Sequence, residues 1–493
     1  MKKIIVIGSG FAGLSAAITA ASNGNEVLVI EKNSQFGGRA NVWEKDGFKF
    51  DLGPSWYWMP DVFEKFFARF NRKVEDYYKL IRLEPSYRVY FGEKDFIDLP
   101  SSLSDMYKLF ESLEKSSSEK LKRFLSQAEY KYNVAMNDYV FRPSYSITEF
   151  IDLKVLSQLL RIQMFSSLRG HVAKYFKNQK IKKILEFPVL FLGASPANTP
   201  AMYSLMNYAD ISLGTWYPLG GMFSVAEGIY KLALESGVKF IFDEAVTKIN
   251  VQNNEAVSVT TDKAEYKADG IIATSDYAHT DQELLDESNR SYSSKYWESR
   301  EMSPSSLLFY LGINKKINGL LHHTLFFHED YDEHASEIYD EPKWPAKPLF
   351  YTSASSKSDN CTSPADSENL VILMPIASGL NDTNEIREKY FDLIIANFEK
   401  LTGENLKNNI VVKRSYCVND FKNDYNSFKG NAYGLSNKLM QTAFFKPKLK
   451  SKKIINLFNA GQLTVPGPGV PPALISGQIA AAELQKYFSE ISR

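Results

Sequence analysis

Six residues near the amino terminus, Gly8-Ser9-Gly10-Phe11-Ala12-Gly13, space three glycines through what reads as a tight turn. Ahead of them Ile4-Ile5-Val6-Ile7 is a continuous apolar run, as a strand buried on both faces would be. Behind them a small-residue helix runs towards Asn23-Gly24, and a second strand, Glu26 to Ile30, ends on the carboxylate of Glu31. The chemistry of this pattern is dinucleotide binding. Glycines let the backbone approach a pyrophosphate, the helix N-terminus offers partial positive charge, and Glu31 is placed to accept hydrogen bonds from ribose hydroxyls. The same carboxylate would repel a 2′-phosphate, which disfavours NADP. By itself the pattern admits FAD or NAD.

Two further turns follow: Lys32 leads into Gly37-Gly38-Arg39, and Asp51-Leu52 into Gly53-Pro54-Ser55. In this arrangement the chain resembles the GR2-type flavoproteins, the fold group of amine oxidases and carotenoid desaturases. There, an acid followed by Gly-Gly-Arg marks FAD. Four longer segments narrow the resemblance: GPSWYWMPDVFEKFF (53–67), HHTLFF (322–327), KGNAYGL (429–435) and GQLTVPGPGVPPALISG (461–477) are similar to bacterial-type phytoene desaturases. The likeness spans nearly the whole chain.

That resemblance implies FAD held by Gly8, Gly10, Phe11, Ala12, Gly13, Glu31, Lys32, Gly38, Arg39, Gly53, Pro54 and Ser55, with Val246 meeting the adenine through its backbone. It also places the turn from Gly461 to Val470 and Pro471 beside the isoalloxazine ring. Pro471 and Pro472 suit the first turn of a final helix, whose N-terminus would stabilise negative charge. The implied reaction is FAD-dependent desaturation of phytoene, stepwise, to all-trans lycopene. A 1-hydroxycarotenoid 3,4-desaturase, or another carotenoid-modifying flavoenzyme (isomerase or ketolase), is the alternative. Within the fold group an amine oxidase is a rival, and a lipid-binding escort protein without flavin is a non-enzymatic one. The implied partners are a long apolar carotene, oxygen or quinone as electron acceptor, and a membrane surface.

The elements that must position these residues can be read in outline. The chain has 493 residues, no net charge and two cysteines, Cys361 and Cys417. This suits more than one structural unit, a reducing compartment and no nucleic-acid partner. Strands predicted at 246–251, 256–261 and 269–274 form a meander that feeds a further strand of the nucleotide-binding unit, and Lys453 to Asn459 reads as the returning strand. The expected fold is α/β: a Rossmann-like FAD-binding domain from residues 1–80, 225–285 and 440–493, with an inserted α+β substrate domain from 81–224 and 286–439. Aromatic residues make up 14% of the chain, which suits a large core or a long apolar tunnel.

Between Asp152 and Glu186 there is no acid, while Lys154, Arg161, Arg169, Lys174, Lys177, Lys180, Lys182 and Lys183 interleave with apolar residues at helical spacing. This predicts a basic amphipathic helix on an anionic membrane surface. The expected location is therefore cytoplasmic, peripheral to the inner face of the cell membrane. The Met1-Lys2-Lys3 start is rejected as a secretory signal because its apolar run is too short, and no stretch is long enough to span a bilayer. His322, His323, His328 and His334 lack zinc-site spacing, so no metal is expected. No catalytic triad or acid pair is visible, and no proton acceptor can be named.

Overall fold

A computed structural model describes residues 1–146, 163, 166–192 and 195–491. The chain opens with β1 (Lys3–Ile7), α1 (Phe11–Ser22) and β2 (Glu26–Ile30), then reaches the hairpin β3 (Tyr87–Gly92) and β4 (Asp95–Leu99). Helices α2 (Leu168–Tyr175), α3 (Gln179–Glu186) and α4 (Met222–Glu235) lead to β5 (Lys239–Ile241). The meander β6 (Val246–Gln252), β7 (Glu255–Thr261) and β8 (Glu265–Lys267) precedes β9 (Gly270–Ala273) and α5 (Tyr277–Gln282). Next come β10 (Ser305–Ile313), β11 (His323–Phe326), α6 (Tyr331–Tyr339), β12 (Phe350–Ser353) and β13 (Glu368–Ile376). The chain closes with α7 (Asn384–Thr402), β14 (Ile410–Tyr416), α8 (Val418–Tyr425), β15 (Leu457–Asn459) and α9 (Val470–Ile491).

Two sheets organise these elements. The first is parallel throughout, in the order β15-β9-β1-β2-β5. Helices cover it, so its strands are apolar on both faces: Val6, Val29 and Ile272 pair across three strands and are each fully buried. The predicted return strand is shorter than expected, with only Leu457–Asn459 paired, and α9 starts at Val470.

The second sheet runs β14-β10-β13-β12-β11-β3-β4, antiparallel except where β11 meets β3. Strand β13 shows why it has two different faces. Leu370, Ile372, Met374 and Ile376 are fully buried, in one cluster with Tyr390, Phe391, Ile394, Ile395 and Phe398 of α7. Val371, Leu373 and Pro375 alternate with them and point the other way. Each fully buried aliphatic or aromatic side chain here contributes roughly 1.5–3 kcal/mol. One face of this sheet is therefore core, and the other is free to line cavities.

The basic stretch corrects a prediction. Lys154, Leu156, Leu159, Leu160, Arg161, Met164 and Phe165 lie outside the described residues. The rest is two helices rather than one, because the backbone turns extended at Phe176 and Asn178 then caps α3, its Oδ1 accepting from the amides of Lys180 (2.9 Å) and Ile181 (3.3 Å). Leu168, Val172 and Phe176 are buried in the core rather than presented to lipid. Arg169 pairs with Asp332 at 2.5 Å and with Glu186 at 3.4 Å, Lys180 reaches Asp95 at 2.5 Å, and Lys183 donates to the Phe327 carbonyl at 3.2 Å. The described part of this stretch packs its apolar residues inward and pairs Arg169 and Lys180 with acids, while Lys174 and Lys177 stay exposed.

Helix α1 is buried from Phe11 to Ala20 and crosses α9 with backbone almost touching backbone. Ser15 Oγ donates to the Leu474 carbonyl at 2.5 Å, and a Cβ built on Gly477 would lie 2.1 Å from the Ala12 oxygen. A β-branched side chain there must push the two helices apart. Gly477→Val should destabilise the protein by about 3 kcal/mol or more, at or beyond the upper end of ordinary overpacking costs. Thermal unfolding checks this. A Tm within about 1 °C of wild type, a shift of about 1 kcal/mol or less at this size, would show that the crossing tolerates expansion.

Candidate functional site: a dinucleotide cavity and an adjoining apolar chamber

The amino-terminal turn opens onto a cavity of about 300 Å³. Gly8 leaves β1 at φ +95°, a left-handed conformation that only glycine adopts without strain, and its amide donates to Ile30 at 2.8 Å. Gly10 starts α1 with no side-chain cap, so the first-turn amides face the cavity unsatisfied by a capping group. Gly13 does not line the cavity but makes it possible, because a Cβ there would sit 2.0 Å from the Gly8 carbonyl oxygen. Gly38 (φ +57°) lies against Gly10, and Gly53 against the Arg39 carbonyl, where a Cβ would fall at 2.0 Å.

Glu31 sits at the end of β2 with both carboxylate oxygens held. One accepts from the amide and hydroxyl of Ser9, each at 2.8 Å, and the other from the Asn33 amide at 2.9 Å. These bonds fix it as an ordered acceptor lining the cavity. Lys32 lines the same wall and donates to the Asn423 carbonyl at 2.6 Å. Beside them, where the Glu244 amide donates to the Glu31 carbonyl at 3.1 Å, Ala245 and Val246 at the start of the meander also line the cavity, as do Gly461 and, where α9 begins, Gly469, Val470 and Ala473. The Gly461 amide is itself taken by Ser476 Oγ at 3.0 Å.

Every predicted cofactor residue lines this cavity except three. Gly13 underlies it, Pro471 stands one residue behind Val470 in the first turn of α9, and Ser55 turns towards Tyr351, its Oγ 2.9 Å from the phenol oxygen.

Arg39 shows what the cavity is suited to hold. Its guanidinium is buried, donates to Ser427 Oγ at 3.1 Å and stacks 5.1 Å above the Tyr425 ring, yet its Nε has no partner. Burial lowers its pKa, and the Asp276 charge opposes that shift. Asp276 caps α5, and burial raises its pKa to about 6. An orphaned guanidinium nitrogen beside an uncapped helix N-terminus fits the pyrophosphate of FAD. Sequence reasoning missed Asp276, Asp424, Tyr425 and Asn426, which come from two distant segments and close this wall. Ala432 and Tyr433 also line it, and they lie within the KGNAYGL segment quoted above without a role.

A second cavity of about 60 Å³ adjoins the first, with Leu373 and Tyr433 lining both. Among the described residues no carboxylate lines it. Its histidine is internally engaged: His334 takes the Leu349 amide on Nδ1 and bonds the Pro375 carbonyl through Nε2, both at 2.9 Å. Tyr351 in its wall meets His323 Nδ1 at 2.6 Å, and His323 stacks on Trp56 at 4.0 Å. Burial pushes His322 down to about 3 and His334 to about 4, so both are neutral near pH 7. The Tyr331 hydroxyl, also in this wall, is buried without a partner.

Comparison with known proteins agrees with this geometry. A model of the flavin containing amine oxidoreductases matches residues 11–485. A carotenoid 3,4-desaturase of Haloarcula japonica is 39% identical over 482 residues, 98% of this chain and 97% of that protein. A zeta-carotene-forming phytoene desaturase of Myxococcus xanthus is 30% identical over 494 residues, 99% and 94% respectively. Among solved structures, an oxidoreductase from Methanosarcina mazei superposes with a TM-score of 0.63 at 14% identity, covering both chains fully, which speaks for the fold alone.

Replacing Glu31 by Ala should weaken FAD binding by about 1.5–3 kcal/mol, roughly ten- to 150-fold in Kd, as a charged hydrogen-bond partner is lost. Calorimetric titration of FAD into deflavinated protein measures it, and equal affinities would remove the ribose role from Glu31. The matched family, the relatives spanning the chain and the dinucleotide cavity lead to one assignment: the chain belongs to the flavin-containing amine oxidoreductases, among their carotenoid desaturases, and is an FAD-dependent oxidoreductase.

Proposed function

We propose that this protein desaturates an acyclic carotenoid near the end of its chain, at the 3,4 bond. The observation that carries this reading is the 39% identity to the Haloarcula japonica protein of that name, against 30% to the Myxococcus xanthus phytoene desaturase. Stepwise conversion of phytoene to all-trans lycopene is the second reading. It is supported by the full-length likeness to phytoene desaturases and by the segments 53–67 and 461–477. A 1-hydroxylated end is compatible with the first reading, since the Tyr331 hydroxyl lacks a protein partner.

The bound flavin supplies a hydride acceptor for a C–H bond that no side-chain base is strong enough to deprotonate. The chain's own residues do the rest. Arg39 and the α1 amides hold the pyrophosphate, Glu31 the ribose, and Ala245-Val246 border the adenine. Gly469 and Val470 bring the α9 N-terminus, with its partial positive charge, to the other end of the cavity. Leu373, Tyr433 and the apolar chamber exclude water and orient a hydrocarbon. In this reading residues 1–80, 225–285 and 440–493 form the FAD-binding part, and 81–224 with 286–439 the substrate part. Oxygen or a quinone takes the electrons away.

A carotene resides in lipid, so the protein must work against a membrane from the cytoplasmic side. Among the described residues no helix is long and apolar enough to cross one. An exposed apolar patch suits peripheral docking better than the α2–α3 face: Phe141, Met440 and Phe445 are 45%, 65% and 40% exposed. Lys448 ties their two segments together, donating to the Ser144 carbonyl at 3.0 Å and the Phe444 carbonyl at 2.7 Å.

Two measurements test the proposal. With FAD and oxygen or a quinone, and carotenoids supplied in liposomes, 3,4-desaturation of lycopene or a 1-hydroxycarotenoid should outpace any reaction on phytoene at least tenfold. Phytoene turning over faster would establish the second reading instead. In a flotation assay, the triple change Phe141→Ser, Met440→Ser, Phe445→Ser should release most of the protein from liposomes, whereas Lys180→Gln should not. Unchanged flotation of the triple variant would remove this patch from the membrane.

A further inference from the structure

The two cavities share one face of the second sheet, and the strand register measures their separation. Leu308 on β10, in the dinucleotide cavity, stands opposite Leu373 on β13, which lines both. Leu373 stands opposite Tyr351 on β12, and Tyr351 opposite Leu325 on β11, both in the second cavity. These four residues form one row across four strands. At about 4.8 Å per strand, the row continues roughly 10 Å past the shared leucine. Above it, helix α6 forms the opposite wall with Ala335 and Ile338, one turn apart.

The space between floor and helix is small. A volume of about 60 Å³ holds about four to six waters at 10–15 Å³ each, which is room for roughly one branched five-carbon unit. The 11,12 bond of phytoene has about three isoprene units on its shorter side. The 3,4 bond has a single unit, C1 to C3 with two methyls. The chamber's size suits the 3,4 bond.

We propose that the second cavity is a seat for the branched terminal unit of the carotenoid, so that Ala335 and Ile338 determine which bond lies over the dinucleotide cavity. The seat acts as a stop: the chain slides in until its branched end meets α6. This rests on the desaturase reading above and adds to it the residues that select the bond.

The test uses FAD-loaded protein with two variants and two readouts. Ala335→Phe fills the seat and Ile338→Ala deepens it. Calorimetry with farnesene, a branched fifteen-carbon hydrocarbon with the same end group, should show at least tenfold weaker binding to Ala335→Phe at unchanged FAD content. Product analysis with 7,8-dihydrolycopene, which keeps saturated bonds at both 3,4 and 7,8, in phosphatidylcholine liposomes should show 3,4-desaturation by wild type and desaturation displaced inward to 7,8 with Ile338→Ala. Should Ala335→Phe fail to fold, Ile338→Ala alone carries the decision. Farnesene binding unaffected by Ala335→Phe, or an unmoved double bond with Ile338→Ala, would overturn the seat. If wild type turns over no carotenoid, the desaturase reading fails, and the farnesene titration still decides whether the cavity receives a branched hydrocarbon end.

Discussion

The structure depends on backbone approaching backbone around a single helix. At Gly13 and Gly477 the next atom that a Cβ would meet is a carbonyl oxygen about 2 Å away, on Gly8 and on Ala12 respectively. Gly38 makes a looser version of the same contact with Gly10. Such contacts bury little apolar surface, so they supply shape rather than stability. The stability comes from the aliphatic layers behind them, Val6, Val29 and Ile272 in the sheet and Leu474 and Leu484 on α9, which are all fully buried. A binding surface made of bare amides is thus carried by a core that never touches the ligand.

This division explains what could be read from the chain in advance. The glycine turn, Glu31, the meander and the glycine- and proline-rich approach to α9 are local signals, each confined to a few consecutive residues, and the structure puts nearly all of them around one cavity. What escaped is long-range. Arg39, Asp276 and Tyr425 meet from three segments separated by well over a hundred residues, and periodicity carries no information about that meeting. The basic run before Glu186 misled for the same reason. Its charges were visible, but Asp332 and Asp95, which neutralise two of them, stand far away in sequence. Ser55 behaved likewise: its place in the turn is local, while its partner Tyr351 arrives on β12.

The second sheet joins the two kinds of site. Its continuous apolar strand β10 is buried on both faces, with Leu307 and Phe309 in the cluster packed by α7 and Ser306 and Leu308 under the dinucleotide cavity. Moving one strand over, at the same level, the floor changes from a surface facing a charged cofactor to one facing hydrocarbon. Electrostatics change with it. On one side an arginine nitrogen is left without a partner, a cost that a phosphate would relieve; on the other, His334 and Tyr351 are occupied by the protein. Histidines held neutral by burial add no field to the chamber.

A hydrocarbon in such a chamber can be recognised only by shape and by the water it displaces. Each buried methylene contributes about 0.8 kcal/mol wherever along the chain it lies, so sliding a polyene by one unit changes affinity little. Selection among chemically similar C–H bonds therefore cannot come from the long apolar walls, however many aromatic residues they hold. It has to come from a feature that breaks the translational sameness of the chain. A carotenoid offers two such features, its branched end and any oxygen placed there. The chamber answers the first with a helix set across its far side, and Tyr331 holds a hydroxyl available for the second.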